Sequence, residues 1–185
     1  MWRVFGRAGV LAGVLLLSTG LYLAYLHVTG NFHEVIPGEL YRSAQPSAAQ
    51  LDDYVRRYGI KTVLNLRGPS DRDWYRQEIA ESRRLGIRHV DFRMSAQRLL
   101  TTEQSAALIA IMRDAPKPIL VHCQAGADRS GLASVIYLQQ IAKVDEETAE
   151  WQLSLIYGHI GLPFLGAYAM DATWEGLEKL FGLPS

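Results

Sequence analysis

The longest apolar run comes first. From Ala8 to Val28 no residue carries a formal charge at neutral pH. About 20 such residues rising ~1.5 Å each cover the ~30 Å hydrocarbon core of a bilayer. A polar face is missing throughout, which argues against a helix packed inside a soluble core. Tyr22, Tyr25 and His27 lie near the far end, where interfacial aromatic side chains collect. Residues 1–30 therefore read as a membrane anchor that contacts the bilayer through residues 8–28. A cleaved signal peptide is the alternative, since Ser18-Thr19-Gly20 offers small residues for cleavage. The apolar character running on past Gly20 favours the uncleaved anchor.

After Asn31 the pattern shortens into alternating strands and helices. Glu34-Val35-Ile36 and Leu40-Tyr41-Arg42 read as extended pieces around the turn Pro37-Gly38. Ser47 to Gln50 has capping-box form; Leu51, Tyr54, Val55 and Tyr58 follow at helical spacing, and Gly59 closes the element. Thr62 to Leu66 is a core strand, Asp71 to Leu85 a charged helix with a thin apolar face (Tyr75, Ile79), and Arg88 to Phe92 a further strand. Thr101 and Gln104 cap a helix whose Leu108, Ile111 and Met112 face inward. A strand at Ile119–Val121, a helix to Ala142, a helix from Asp145 to Tyr157 and a last one from Ala167 to Phe181 complete the series. This alternation predicts an α/β layer fold, a short central sheet flanked by helices, in one domain spanning 31–185.

Composition narrows the possible partners. Hydrophobic residues make up 49% of the 185, ample for one core, and the formal charge is zero. Arg3 and Arg7 precede the apolar span, leaving 17 basic against 19 acidic residues beyond it, near −2. That balance gives no electrostatic case for nucleic acid. The same two arginines, with no Lys or Arg on the downstream flank until Arg42, place the N-terminus in the cytoplasm and the domain outside it. A single cysteine excludes an intrachain disulfide and a cysteine-based metal site, and no cofactor motif is evident.

That cysteine stands in the most informative stretch, His122-Cys123-Gln124-Ala125-Gly126-Ala127-Asp128-Arg129-Ser130-Gly131. The strand before it, the glycine within it and the helix after it would aim successive backbone N–H groups and a helix N-terminus at one point. An anion should bind there, and a thiolate at Cys123 would itself be stabilised as a nucleophile. The loop amides of Gln124, Ala125, Gly126 and Ala127, with the planar fork of Arg129, can hold the oxygens of a phosphoryl group over the sulfur. A buried structural cysteine needs none of these neighbours.

The spacing Cys-x5-Arg-Ser, in the wider form His-Cys-x-x-Gly-x-Asp-Arg-Ser-Gly, resembles the cysteine-dependent protein tyrosine phosphatases, in particular their compact dual-specificity-like branch. Leu40-Tyr41-Arg42-Ser43-Ala44-Gln45-Pro46 and Gly59 to Arg67 are similar to the opening segment and first core strand of small members. The likeness is good from Glu39 to Ala142 and loose in the C-terminal third. It implies the small phosphatase fold with five or so strands. It also implies a cysteinyl-phosphate intermediate on Cys123, with Arg129 stabilising transition-state charge, Ser130 supporting the sulfur as leaving group and His122 holding the loop. Two residues compete for the general acid. Asp91 lies 32 residues before Cys123, at a strand end, and Asp128 lies inside the loop. Asp128 is favoured because its place in the loop puts it at the pocket rim. Arg67 could line the pocket mouth or make a surface salt bridge, and Arg42 would tie the N-terminal segment to the body.

Phosphotyrosine in protein is the default substrate, with a lipid, cell-envelope or small-metabolite phosphate as the alternative. Relatives that prefer polyphosphorylated inositides carry lysines where this chain has Gln124 and Ala127, which argues mildly against that preference here. A non-catalytic phosphate-binding adaptor is disfavoured because Cys123, Arg129 and Ser130 are all present. The continuation Arg129-Ser130-Gly131 disfavours a sulfurtransferase, and the lack of a second cysteine disfavours an arsenate reductase.

Overall fold

The computed structural model describes residues 2–183. Five strands, β1 (His33–Ile36), β2 (Leu40–Ser43), β3 (Thr62–Asn65), β4 (Arg88–Asp91) and β5 (Ile119–His122), form one sheet in the order β1-β2-β5-β3-β4. β1 pairs antiparallel with β2, and all other pairings are parallel. Because side chains alternate across a strand, the sheet sorts its residues onto two faces. Leu40, Leu64, Ile119 and Val121 enter the larger core beneath helices α4 (Thr102–Asp114), α5 (Asp128–Ile136) and α7 (Ala169–Phe181). Tyr41, Val63 and Leu120 enter a smaller one, closed by Leu51 and Tyr54 of α2 (Ala48–Tyr58), while α3 (Asp73–Leu85) packs beside α2.

Local chemistry explains the element ends. Ser47 and Gln50 form a reciprocal capping box on α2, Gly59 closes it in the left-handed conformation, and Thr101 with Gln104 repeats the box on α4. Such a cap contributes about 1 kcal/mol. Three expectations need correction. The helix after Asp145 is only α6 (Glu146–Glu150); the chain then turns, and a short 3-10 turn covers Leu155–Tyr157. The central helix widens into a π turn at Tyr137–Ile141 instead of continuing regularly to Ala142. On α3 the fully buried positions are polar, Glu78 and Ser82, not a thin apolar stripe.

The apolar N-terminal segment is the helix α1 (Trp2–Thr29), and Gly9–Thr29 is long and apolar enough to cross a membrane. Its C-terminal end packs on the domain. Leu26 is buried, Gly158 packs against Leu23 and Leu26, and the Tyr22 hydroxyl donates to the Ile156 carbonyl at 2.6 Å.

Candidate active site

β5, at the middle of the sheet, ends at His122 and delivers Cys123 into a loop that becomes α5 at Asp128. Each carbonyl from Gln124 to Ala127 has a donor from outside the loop. Gln124 O accepts the backbone N–H of Gln45 at 3.3 Å, and Ala125 O accepts the Asn31 amide at 2.9 Å. Gly126 O and Ala127 O both accept Arg42 Nη2 at 2.8 Å. Four consecutive carbonyls are thus turned toward the protein body. The N–H groups of Gln124 through Arg129 donate to no backbone carbonyl among the described residues. Peptide planes are rigid, so drawing the carbonyls one way points the amides the other. The loop that starts at Cys123 thus keeps its N–H groups available as donors.

Two glycines make the approach possible. Gly126 has φ +72°, and a Cβ there would sit 2.5 Å from the Ala44 backbone nitrogen. At Gly131 a Cβ would meet the Gln152 carbonyl oxygen and a Leu153 methyl at 2.8 Å each, closing the space through which α5 passes. Arg42 is fully buried; burial pushes it down to about 10, while Cys123, Tyr157 and Asp128 pull it up. Its other guanidinium nitrogen bonds Gln152 O and Oε1 at 2.7 and 2.9 Å, and its plane lies 4.3 Å from the Tyr157 ring centroid.

Around the sulfur, Cys123 Sγ lies 3.5 Å from Ser130 Oγ, and the cysteine is buried. Ser130 is the third residue of α5. Arg129 Nη1 reaches the Met94 carbonyl at 3.4 Å, leaving Nε without a partner. Beneath the loop, His122 Nε2 stands 3.2 Å from Glu78 Oε2, His89 Nε2 bonds Glu78 Oε1 at 2.6 Å, and Gln45 also donates to Glu78. Burial would raise Glu78, but His122, His89 and Gln45 outweigh it and hold the carboxyl at about 2. A buried carboxylate on α3 therefore stands against the residue that precedes Cys123.

The two candidate acids lie in different surroundings. Asp91, at the end of β4, accepts Asn65 Nδ2 on one oxygen at 2.7 Å and the Tyr75 hydroxyl on the other at 2.5 Å. Asp128 opens α5, and its Oδ1 is 2.8 Å from Nδ1 of His159. His159 Nε2 in turn is 2.9 Å from Asp171 Oδ2 on α7. Burial disfavours a charged His159, yet Asp128 and Asp171 together raise it above its usual value.

Beside Arg129 opens a basic basin. One cavity of about 440 Å³ is lined by Arg67, Arg93, Arg98 and Arg129 with Met94, Leu99 and others. A second, of about 430 Å³, shares Arg67, Arg93 and Arg129 and adds Arg72, Asp71 and Trp74. Arg67 donates to Gln45 Oε1 at 2.9 Å and stacks 3.7 Å from the Trp74 ring centroid, so it stands at the mouth rather than in a surface salt bridge. Burial, and then neighbouring Arg129, lower it from the ordinary arginine value.

Sequence reasoning missed Asn31, Gln45, Glu78, His159 and Asp171. Each is far from Cys123 along the chain. The one available signal was the polar pair Glu78 and Ser82 on the inward stripe of α3.

A model of the tyrosine phosphatase family matches residues 25–151. The dual specificity protein phosphatase TpbA is similar in two strains of Pseudomonas aeruginosa, UCBPP-PA14 and PAO1. Identity is 28% over 151 residues and 32% over 153, covering 80% of this chain and 65% of each relative. The chain thus spans a little under two thirds of the length of these relatives. The crystal structure of P. aeruginosa TpbA superposes with a TM-score of 0.59 at 26% identity, over 80% of this chain and 85% of that one. A TpbA variant solved in complex with pTyr gives 0.58 at 23%, over 83% and 91%. With a family model spanning most of the chain and running through the cysteine loop, this protein belongs to the tyrosine phosphatase family.

Proposed function

We propose that this chain is a phosphomonoester hydrolase of the protein tyrosine and dual-specificity type, working through a phosphocysteine on Cys123. The observation that carries the reading is the loop in which carbonyls 124–127 are drawn toward the protein body and the amides are left free beside a buried sulfur. That arrangement suits three equatorial phosphoryl oxygens, with Arg129 supplying a bidentate cation. The Cys123 thiolate attacks phosphorus, the S–P bond forms and the P–O bond to the leaving group breaks. Asp128 gives its proton to the departing oxygen. Water then attacks phosphorus, yields a proton to Asp128, and the S–P bond breaks, with the Ser130 hydroxyl stabilising the released thiolate.

Asp128 is the better acid because Asp91 has both oxygens engaged by Asn65 and Tyr75. The segment from Phe92 to Thr101 also carries Arg93 and Arg98 and no carboxylate. In this reading His159, held by Asp171, is a positioning residue for Asp128. Phosphotyrosine as substrate is supported by the TpbA complex with pTyr. The helix Gly9–Thr29 supports a single-pass anchor, with the domain outside the cytoplasm as the Arg3 and Arg7 bias suggests.

The test is hydrolysis of p-nitrophenyl phosphate by the full chain in detergent micelles. Vanadate-sensitive turnover, abolished in Cys123→Ser while phosphate binding persists, is the expected result. Turnover that survives Cys123→Ser would overturn the covalent mechanism.

A further inference from the structure

Beyond α1, exposed large apolar side chains crowd into one segment. Trp151, Leu155, Ile156, Leu162, Phe164 and Leu165 are all exposed, Phe164 by 81%. Elsewhere beyond α1, among the described residues, only Leu99 and Leu180 are. From Trp151 to Met170 the chain holds no Asp, Glu, Lys or Arg. α6 ends at Glu150, and turns with two short 3-10 segments carry the chain on to α7. Single apolar residues on a surface need no explanation, but an uncharged cluster marks a contact with something apolar.

The cluster begins against α1. Leu155 and Ile156 share with Ser18, Thr19, Tyr22 and Leu23 the walls of a cavity of about 340 Å³. No spacer separates helix from domain, because Leu26 and Asn31 are already buried. The Leu155–Ile156 edge therefore lies beside residues of the uncharged run Ala8–Val28. A bilayer that surrounds α1 as far as Ser18 has to meet this edge. We propose that Leu155 and Ile156, with Phe164 beyond them, insert into the headgroup boundary of the bilayer beside α1 and fix the tilt of the domain on the membrane. The proposal rests on the anchor reading of α1. Lipid is the occupant because the patch continues the surface of that helix. One wall of the cavity is helix and the other is loop, so acyl chains that coat the first also coat the second. Insertion removes apolar area from water where hydrocarbon is already at hand. A single tether lets a domain pivot, and a second contact restricts it. The same segment supports the site: Tyr157 O accepts the Asn31 amide, and His159 Nδ1 stands 2.8 Å from Asp128. Docking therefore holds the cysteine loop at a set height above the headgroups.

The experiment uses the full chain carrying Cys123→Ser, so that one introduced cysteine is the only thiol, in phosphatidylcholine vesicles. Nitroxide labels are placed singly through Leu155→Cys, Phe164→Cys, Leu15→Cys and Arg88→Cys. Arg88 is the aqueous reference, exposed at the start of β4, at the opposite edge of the sheet from β1. Collision rates with oxygen, which enters lipid, and with a nickel chelate, which stays in water, give the depth of each label. Labels at Leu155 and Phe164 are expected to favour oxygen severalfold more than the label at Arg88, at a depth of about 5–10 Å. Either one matching Arg88 overturns the proposal, as does spin–spin broadening there, which would assign the patch to a second copy of the chain. Calorimetric binding of inorganic phosphate checks that each labelled chain is folded, and Ile156→Cys replaces Leu155→Cys if that variant fails the check. The Leu15 label separates the two readings. Leu15 in hydrocarbon with the loop labels in water strikes the docking alone; Leu15 in water with the loop labels in lipid strikes the anchor alone.

Discussion

At the residue scale the site depends on side chains that never meet the phosphorus. Arg42 is the clearest. Replacing it with Met removes the donor to the Gly126 and Gln152 carbonyls, each left unsatisfied at a cost of about 1–3 kcal/mol, while the Ala127 carbonyl keeps the Gly131 N–H. The Gly126 carbonyl is then free to turn into the anion site. Arg42→Met is expected to lower kcat/KM for p-nitrophenyl phosphate by at least about a hundredfold, a loss of the size seen when a preorganised oxyanion site fails. A tenfold loss or less, with folding intact by circular dichroism, would reduce Arg42 to a tether. Asp128 and His159 give a second prediction. Asp128→Asn should slow alkyl phosphates, which need a proton, by about 10²-fold or more and activated aryl phosphates far less. Burial disfavours a charged His159, but Asp128 and Asp171 raise it above its ordinary 6.5, so its charge is coupled to the Asp128 carboxyl. His159→Gln should therefore displace the alkaline limb of the kcat–pH profile for an alkyl phosphate. An unmoved limb would leave His159 a purely structural residue.

At the element scale, the strand–loop–helix unit is the device, and its tolerances are narrow. β5 is flanked by β2 and β3 in parallel register, with Ser43 and Asn65 both opposite His122. The loop thus emerges where three strand ends can support it. Gly126 is the closest point, packed on the backbone between Ser43 and Ala44 at positive φ. Gly126→Ala brings a left-handed penalty of about 1–2 kcal/mol and a backbone collision that no side-chain rotation relieves. A drop in unfolding midpoint together with loss of phosphate binding is expected; unchanged phosphate affinity would show that the loop can reshape. The junction after α1 is a second such unit. Asn31, buried and at φ 46°, bonds Ala125 O in the loop and Tyr157 O, so the first residues after the apolar helix are part of the catalytic support.

At the scale of the whole molecule, buried titrating groups set the pH at which the fold is most stable. Glu78 is held at about 2, below its ordinary 4.5, so its contribution is present above 4.5 and is lost as pH falls toward 2. Glu178 behaves oppositely: burial, then Glu150 and Glu146, push it up to about 8. Its contribution is present below 4.5 and is lost as pH rises through 8, and His159, raised above 6.5, loses its own contribution on the same side. The unfolding midpoint should therefore be highest in mildly acidic solution. Glu178→Gln is expected to flatten the alkaline decline and Glu78→Gln the acid one, read by thermal melts across pH. A pH-independent midpoint in the parent chain would refute both assignments.

Much of this was open to reading in one dimension. Alternation of apolar and polar positions marks the strands, capping boxes at Ser47 and Thr101 mark two helices, and Cys123 to Gly131 marks the chemistry, because each signal lies within a few residues. The helix after Asp145 was read too long, since a capped start says nothing about where packing stops supporting a helix. Short-range sterics and hydrogen bonding decided the elements, including the strand, loop and helix around Cys123. The fold alone decided what turns the loop carbonyls away, what stands against His122, which partners Asp91 and Asp128 each engage, and where the arginines beside Arg129 gather. Those are relations between Asn31, Arg42, Glu78, His159 and the loop across tens of residues, and only packing brings such groups within hydrogen-bonding distance.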